Sequence, residues 1–97
     1  MYEIEITPEA VADLESFKKF EQTIIVDGVE SQLQYEPTVE TRNKKKLRSN
    51  AVAAWELRIG RFRIFYNVHE EEKKVSIEAI GFKVGNLLFI HGKRREL

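Results

Sequence analysis

The sequence contains no cysteine and only two histidines, His69 and His91. The first absence excludes disulfide bonds, thiol nucleophiles and thiolate metal ligands, and the second leaves no His/Cys spacing that would hold a metal. The five glycines form neither a GxGxxG motif nor a P-loop, and no serine lies in a GxSxG motif. We therefore predict a protein with no metal and no cofactor.

Long apolar runs are also missing. No stretch of about 18 apolar residues is present, and the first five residues lack the basic and apolar regions of an export signal. Because a cysteine-free chain fits a reducing compartment, we expect a cytoplasmic protein with no membrane partner. A chain of 97 residues, 42% hydrophobic and 33% charged, suits one folded domain over residues 1–97 and is too short for a second core.

The formal net charge of zero conceals an uneven distribution. Residues 1–40 carry two lysines and ten acids (2 − 10 = −8), whereas residues 41–97 carry fourteen bases and six acids (14 − 6 = +8). The two halves can neutralise each other in the fold, or the basic half can face a polyanion. The charges alone leave both interpretations open.

The N-terminal pattern predicts a strand followed by a helix. Apolar and polar residues alternate over residues 2–6, and Thr7 and Pro8 are typical of an N-cap and a first helical position. The following apolar residues recur at helical spacing: Ala10, Val11, Leu14 and Phe17. We expect a second helix from Phe20 to about Tyr35, stopped by Pro37. The two helices should form a hairpin or a kinked pair.

A polar segment, Thr38–Ala53, has no sustained period and is predicted to be a loop. It contains a basic cluster formed by Arg42, Lys44, Lys45, Lys46 and Arg48. The cluster can be solvated surface, or it can be an arm that contacts phosphates.

The segment from Trp55 to Tyr66 alternates clearly and predicts a β-hairpin. With Gly60 and Arg61 as a two-residue turn, three apolar pairs share one face: Ile59 with Phe62, Leu57 with Ile64, and Trp55 with Tyr66. The opposite face carries Glu56, Arg58, Arg63 and Phe65.

The same register places Arg58 directly opposite Arg63. Like charges across a strand pair repel, so the pairing indicates a bound anion such as a phosphate. The alternative is a structural salt-bridge network, since Glu56 lies diagonal to Arg63.

Two further strands are predicted, Val75–Ile80 and Leu87–Ile90, and a basic tail with Arg94 and Arg95 follows. The first of these strands should end at Gly81. A bend there would bring Lys83 onto the face of the two arginines.

The order of elements and the signature W-x-L-R-I-G-x-F-R-I-x-Y over Trp55–Tyr66, with Ala79-Ile80-Gly81, resemble the RelE/ParE toxin superfamily. The resemblance covers nearly the whole chain. It implies an α+β fold in which an N-terminal strand and two helices pack on an antiparallel sheet of about four strands, in the order β-α-α-β-β-β. It also implies a toxin neutralised by a cognate antitoxin protein.

In RelE-type members the resemblance implies metal-independent cleavage of messenger RNA on the ribosome, which inhibits translation. Arg58, Arg63 and Lys83 match the basic residues that stabilise the reacting phosphate. The residues implied to hold the RNA backbone are Lys44, Lys45, Lys46, Arg48 and Arg61.

Two positions depart from the RelE pattern. Phe89 stands where active members often have tyrosine, and Phe82 where similar sequences often have histidine. His91 and Glu56 are therefore the remaining candidates for proton transfer. The alternatives are a ParE-like inhibitor of DNA gyrase, a catalytically inactive member that binds its antitoxin, and an unrelated α+β domain.

Overall fold

In the computed structural model, which describes residues 1–97, a strand and two helices precede a run of six strands. This α+β arrangement confirms the fold predicted from the sequence. No helix is long and apolar enough to cross a membrane. The elements in chain order are β1 (Glu3–Ile6), α1 (Pro8–Glu15), α2 (Lys19–Leu33), β2 (Lys44–Lys46), β3 (Trp55–Ile59), β4 (Phe62–His69), β5 (Lys74–Val84), β6 (Leu87–Ile90) and β7 (Lys93–Arg95).

All seven strands belong to one sheet, in which β2 to β7 follow each other in sequence order. Strand β5 has β4 along one edge. Its other edge is long enough for two shorter strands, β1 and β6. Its first residues pair in parallel with β1, as in Ile4 with Val75. Its last residues pair antiparallel with β6, as in Lys83 with Leu88.

Helix α1 begins where the sequence predicts. The Thr7 side chain accepts a hydrogen bond from the Ala10 backbone N–H at 3.2 Å, and Pro8 occupies the first turn. The helix ends at Glu15, earlier than the apolar stripe suggested. Phe17 therefore lies in the short connection to α2, where its ring packs edge-on against Phe62 at 5.2 Å.

Helix α2 passes close to the sheet at Gly28. A Cβ atom at this position would collide with the side chain of Ile59 in β3. Glycine lowers the intrinsic stability of a helix interior, and this close approach gives it a structural purpose.

The two faces of the sheet have different cores. The helix face buries the larger cluster, which includes Leu57, Ile64 and Tyr66 of the hairpin. The opposite face buries a smaller cluster formed by Ala53, Phe65, Ala79, Leu88 and Ile90. Leu47, Val52 and Leu97 cover this second cluster, so the loop before β3 and the last residues of the chain close that side.

The predicted count of about four strands was too low, and the prediction of a continuous loop over Thr38–Ala53 was wrong. Lys44–Lys46 pair with β3 as an edge strand, and the basic tail forms β7 against β6. Three-residue strands rich in lysine and arginine have no apolar alternation to reveal them, and such charged residues are typical of sheet edges.

The prediction that Gly81 ends a strand was also wrong, because β5 continues to Val84. A Cβ atom at residue 81 would collide with the backbone oxygen of Phe89. Glycine here allows β6 to approach β5 closely, and the strand passes through it without interruption.

Candidate anion-binding site

The β3–β4 hairpin forms with the predicted register. Gly60 has φ +56 in the turn, a conformation that glycine adopts without strain. Arg58 lies directly opposite Arg63, and Glu56 lies opposite Phe65 on the same face. Two guanidinium groups are therefore held side by side on the face away from the helices.

Arg63 is buried to an unusual degree for an arginine, with only 8% of its surface exposed. Its Nη1 donates hydrogen bonds to the backbone oxygens of Gly60 at 2.8 Å and Phe62 at 2.9 Å, whereas its Nε has no partner. Burial lowers the pKa of Arg63, the charge of Arg58 lowers it further, and Glu56 raises it. A buried donor without an acceptor is costly, so the position of this guanidinium is unfavourable for stability alone.

Arg58 is exposed and forms no ion pair. The carboxylate of Glu56 instead lies 3.8 Å from the ammonium of Lys45, on the neighbouring strand β2. The alternative of a salt-bridge network joining Glu56 to the two arginines is therefore not formed.

Lys83 lies on the arginine face without the bend that the sequence suggested. Gly81 pairs with Arg63, and residues two apart on a strand point to the same side. The Lys83 backbone N–H donates to the Arg61 oxygen at 2.8 Å, which ties this end of β5 to the hairpin turn. Continuation of β5 is thus what groups the three bases Arg58, Arg63 and Lys83.

His91 lies on the other face. Its Nδ1 is 2.6 Å from Oδ1 of the buried Asp13 in α1, and Oδ2 of Asp13 accepts the Ile80 N–H at 2.9 Å. Phe89 also points to the helix side, where its ring stacks on Phe82 at 5.3 Å. The structure brings neither His91 nor Phe89 together with the arginines.

Lys44 is buried and caps helix α2, a role that conflicts with its prediction as an RNA contact. Its ammonium donates to the backbone oxygens of Gln32 at 3.2 Å and Glu36 at 2.8 Å. A cation at the C-terminal end of a helix satisfies carbonyls that have no intrahelical partner and interacts favourably with the helix dipole.

Arg61 is drawn toward the helices. Its Nη2 bonds Oε2 of Glu21 in α2 at 2.7 Å, and its guanidinium lies 4.8 Å from the centre of the Phe62 ring. The hydrogen bond from Arg61 holds the pKa of Glu21 below its usual range. This engagement places Arg61 on the side of the hairpin away from the arginine pair.

The other basic residues of the segment that was predicted to be a loop do not share one face of the sheet. Lys45 pairs with Glu56 on the arginine face, and Lys46 pairs with Trp55 on the helix face. Arg48 is exposed in the segment that covers the second cluster.

Sequence reasoning overlooked Asp13, the partner of His91. It is buried although it is an acid, and it lies one helical turn after the buried Ala10. An acid at that spacing on the apolar side of a helix is the signal that would have revealed it. No three His, Asp or Glu side chains come together as a metal-binding group.

Comparison with known proteins supports the fold. No protein-family model matches the chain, and no curated protein matches it. Among solved structures, the RelBE2 toxin–antitoxin complex from Mycobacterium tuberculosis contains a chain with 24% identity and a TM-score of 0.73, and the match covers 84% of this chain and 98% of that one. A chain of the archaeal RelE–RelB complex from Pyrococcus horikoshii gives 24% identity and a TM-score of 0.63, covering 78% and 88%.

These matches show that the chain shares its α+β fold with a chain of each of the two complexes. More particularly, its N-terminal strand, two helices and antiparallel sheet form a RelE-like fold.

Proposed function

We propose that this protein is the toxin of a toxin–antitoxin pair and acts as a metal-independent endoribonuclease on messenger RNA at the ribosome. The observation that carries the proposal is the pairing of Arg58 with the buried Arg63 on one face of the sheet. Such a pair is suited to a phosphate, because two guanidinium groups match its oxygens and offset its charge. Residues 1–97 would act as one domain in the cytoplasm.

The proposed reaction needs little beyond charge stabilisation. The ribose 2′-hydroxyl loses its proton and attacks the adjacent phosphorus, the bond from phosphorus to the 5′ oxygen of the next nucleotide breaks, and a 2′,3′-cyclic phosphate forms. The departing 5′ oxygen takes a proton from water and becomes a hydroxyl. Arg58, Arg63 and Lys83 would stabilise the extra negative charge on the phosphoryl oxygens. Their shared face supports this role.

Glu56 is the candidate for proton transfer. It is the only acid in the hairpin, lies two residues from Arg58 on the same face, and is buried beside Lys45. A carboxylate there would take the proton of the 2′-hydroxyl. His91 is set aside in this role because it is bonded to Asp13 on the opposite face.

The RNA backbone would be held by exposed bases of the segment before β3. Lys45 lies on the arginine face, and Lys46 and Arg48 also remain candidates because their side chains are exposed, although Lys46 lies on the helix face. Lys44 is withdrawn from this set, since its ammonium is occupied by α2, and Arg61 is engaged by Glu21.

A cognate antitoxin is the proposed protein partner. Both matched structures are complexes of this kind. The helices of this chain also expose apolar side chains that a partner could cover, namely Val11, Phe20 and Ile24. A separate apolar cavity of about 560 Å³ lies between β1 and the helices.

Inhibition of DNA gyrase is the second candidate function. His91 and Phe89 lie on the face opposite the arginines, so Glu56 is the one candidate for proton transfer near them. This scarcity of proton-transfer groups favours a function without chemistry. A surface that binds its target without chemistry needs no proton-transfer residue.

The test is induction of the chain alone in bacteria, followed by measurement of protein synthesis and transcript integrity. We expect rapid arrest with newly cut messenger RNA, which Arg58→Gln and Arg58→Ala/Arg63→Ala variants abolish. Because Arg58 is exposed, its single variant should fold even if loss of buried Arg63 impairs folding. Lys18→Gln/Lys19→Gln, which removes two exposed bases near the start of α2, is the matched control and should remain toxic.

Intact transcripts in arrested cells would overturn the ribonuclease assignment. Broken DNA in the same cells would then identify gyrase as the target. Normal growth with a soluble, folded chain would instead indicate a protein that binds its antitoxin and is not toxic.

A further inference from the structure

The C-terminal strand β7 carries bases on both of its sides. Leu88 pairs with Arg95, and Ile90 pairs with Lys93. Leu88 and Ile90 belong to the second cluster, so Lys93 and Arg95 lie on the face of the arginine pair. Arg94, between them, pairs with Phe89 and lies on the helix face.

A basic band therefore crosses the sheet from β3 to β7. It consists of Arg58, Arg63, Lys83, Lys93 and Arg95, and neighbouring strands are joined by direct pairs such as Arg63 with Gly81 and Lys83 with Leu88. Four inter-strand spacings of roughly 4.8 Å make the band about 19 Å long. This length exceeds the site of a single phosphate several times.

No member of the band takes part in an ion pair. Glu56 lies beside the band on the same face and raises the pKa of Arg63, but its carboxylate is 3.8 Å from the ammonium of Lys45. Five bases without ion pairs on one face attract a polyanion.

The end of the band is anchored on both sides of the sheet. Leu97 packs against the second cluster two residues after Arg95. On the other face, His91 in the β6–β7 turn is held by Asp13. Strand β7 thus presents Lys93 and Arg95 from a fixed position.

We propose that Lys93 and Arg95 are backbone-binding residues that extend the arginine site into a track for single-stranded RNA. The inference rests on the proposed function, because the reacting phosphate would occupy the Arg58–Arg63 end of the track. The adjoining nucleotides would pass from β5 to β7, with their phosphates on Lys83, Lys93 and Arg95. Strand β6 would make no contact of its own, because Leu88 and Ile90 on this face are buried. Contacts of this kind position the strand and carry no base preference.

The experiment measures binding of a fluorescent single-stranded RNA of mixed sequence at several salt concentrations. Each lost phosphate contact should reduce the slope of log affinity against log salt by about 0.7. We therefore expect slopes lower by about 0.7 for Arg95→Gln and about 1.4 for Lys93→Gln/Arg95→Gln. Arg94→Gln removes the same charge from the opposite face of the same strand and should keep the wild-type slope.

Further variants separate the two proposals. Weak binding by the wild type, or no effect of Arg58→Gln, would refute the RNA site itself. A loss with Arg58→Gln together with equal slopes for Arg95→Gln, Arg94→Gln and wild type would refute only the extension to β7. Arg95→Lys should restore the slope, because it restores the charge.

A polyglutamate peptide tests a protein as occupant. If Lys93→Gln/Arg95→Gln weakens binding of the peptide but not of RNA, β7 binds an acidic protein segment and the RNA track is wrong. If RNA binding falls and peptide binding does not, the track is supported.

Discussion

At the scale of the residue, side chains of one type have different roles according to the face on which they lie. Lys44 and Lys45 are neighbours in β2, yet the first is buried at the end of α2 and the second is exposed beside Glu56. The alternation of a strand sends adjacent residues to opposite sides. A basic cluster in the sequence is therefore split by the fold.

Lys44→Met should destabilise the protein, whereas Lys45→Met should not. Loss of the ammonium leaves the carbonyl oxygen of Gln32 without a donor, and that of Glu36 keeps only the long bond of 3.4 Å from the Val39 N–H, which costs about 1–3 kcal/mol. Lys45 is exposed, and its ammonium is as far as 3.8 Å from the Glu56 carboxylate, so this pair contributes little, about 0–1 kcal/mol. Urea unfolding of both variants checks the difference, and equal stabilities would contradict the capping role of Lys44.

The pair of Arg61 and Glu21 should make stability depend on pH. Because Arg61 lowers the pKa of Glu21 in the folded state, its contribution is present above the ordinary pKa of 4.5 and disappears as the pH falls through the lowered value. Arg61→Gln should thus be less stable than the wild type at neutral pH, and the difference should shrink in acid. In a Glu21→Gln background Arg61→Gln should have no such pH-dependent effect, and persistence of the effect there would refute the pairing.

At the scale of the element, two glycines permit close packing. Gly28 lets α2 rest on Ile59, and Gly81 lets β6 lie against β5. Both glycines look unfavourable in sequence, because glycine weakens helices and strands. Their role in packing follows from the position of the neighbouring element, which the local sequence does not show.

Gly28→Ala should stabilise the protein by less than the roughly 1 kcal/mol that this change contributes in an unobstructed helix. The added methyl group would meet Cδ1 at the end of the Ile59 side chain, which must adopt another rotamer to make room. In an Ile59→Val background, which lacks Cδ1, Gly28→Ala should give more of that gain. Thermal unfolding of the single and double variants tests this, and the full gain from Gly28→Ala alone would show that Ile59 does not obstruct the methyl group.

The turn between β6 and β7 depends on one contact with α1. His91→Ala removes the partner of Asp13 in that turn while leaving the bond from Ile80 to Asp13. We expect faster hydrogen exchange in β6 and β7 with little change in β3 and β4. Uniformly faster exchange across the sheet would instead show that His91 supports the whole fold.

At the scale of the whole molecule, the uneven charge of the sequence becomes a difference between two faces. Three contacts join the acidic first part of the chain to the basic second part: the ion pairs of Arg61 with Glu21 and of Lys74 with Glu5, and the hydrogen bond between His91 and Asp13. On the face opposite the helices, Lys45 pairs with Glu56, and the five bases of the band form no ion pair. Mutual neutralisation therefore accounts for part of the charge, and the remainder forms the basic band.

Local signals determined much of this protein. Thr7 and Pro8 specify the start of α1, and Gly60 with Arg61 specifies a turn from which the pairing of Arg58 with Arg63 follows. These features depend on residues only a few positions apart, so periodicity and turn chemistry were sufficient to predict them.

Tertiary structure decided the rest. The edge strands β2 and β7 exist because β3 and β6 offer them hydrogen bonds, and β5 passes through Gly81 because β6 lies close beside it. His91 faces Asp13, 78 residues away in the chain, and no local pattern could reveal that contact. The sequence by itself thus determined the elements and the arginine pair, whereas packing between distant segments decided which of the remaining charged residues join that pair.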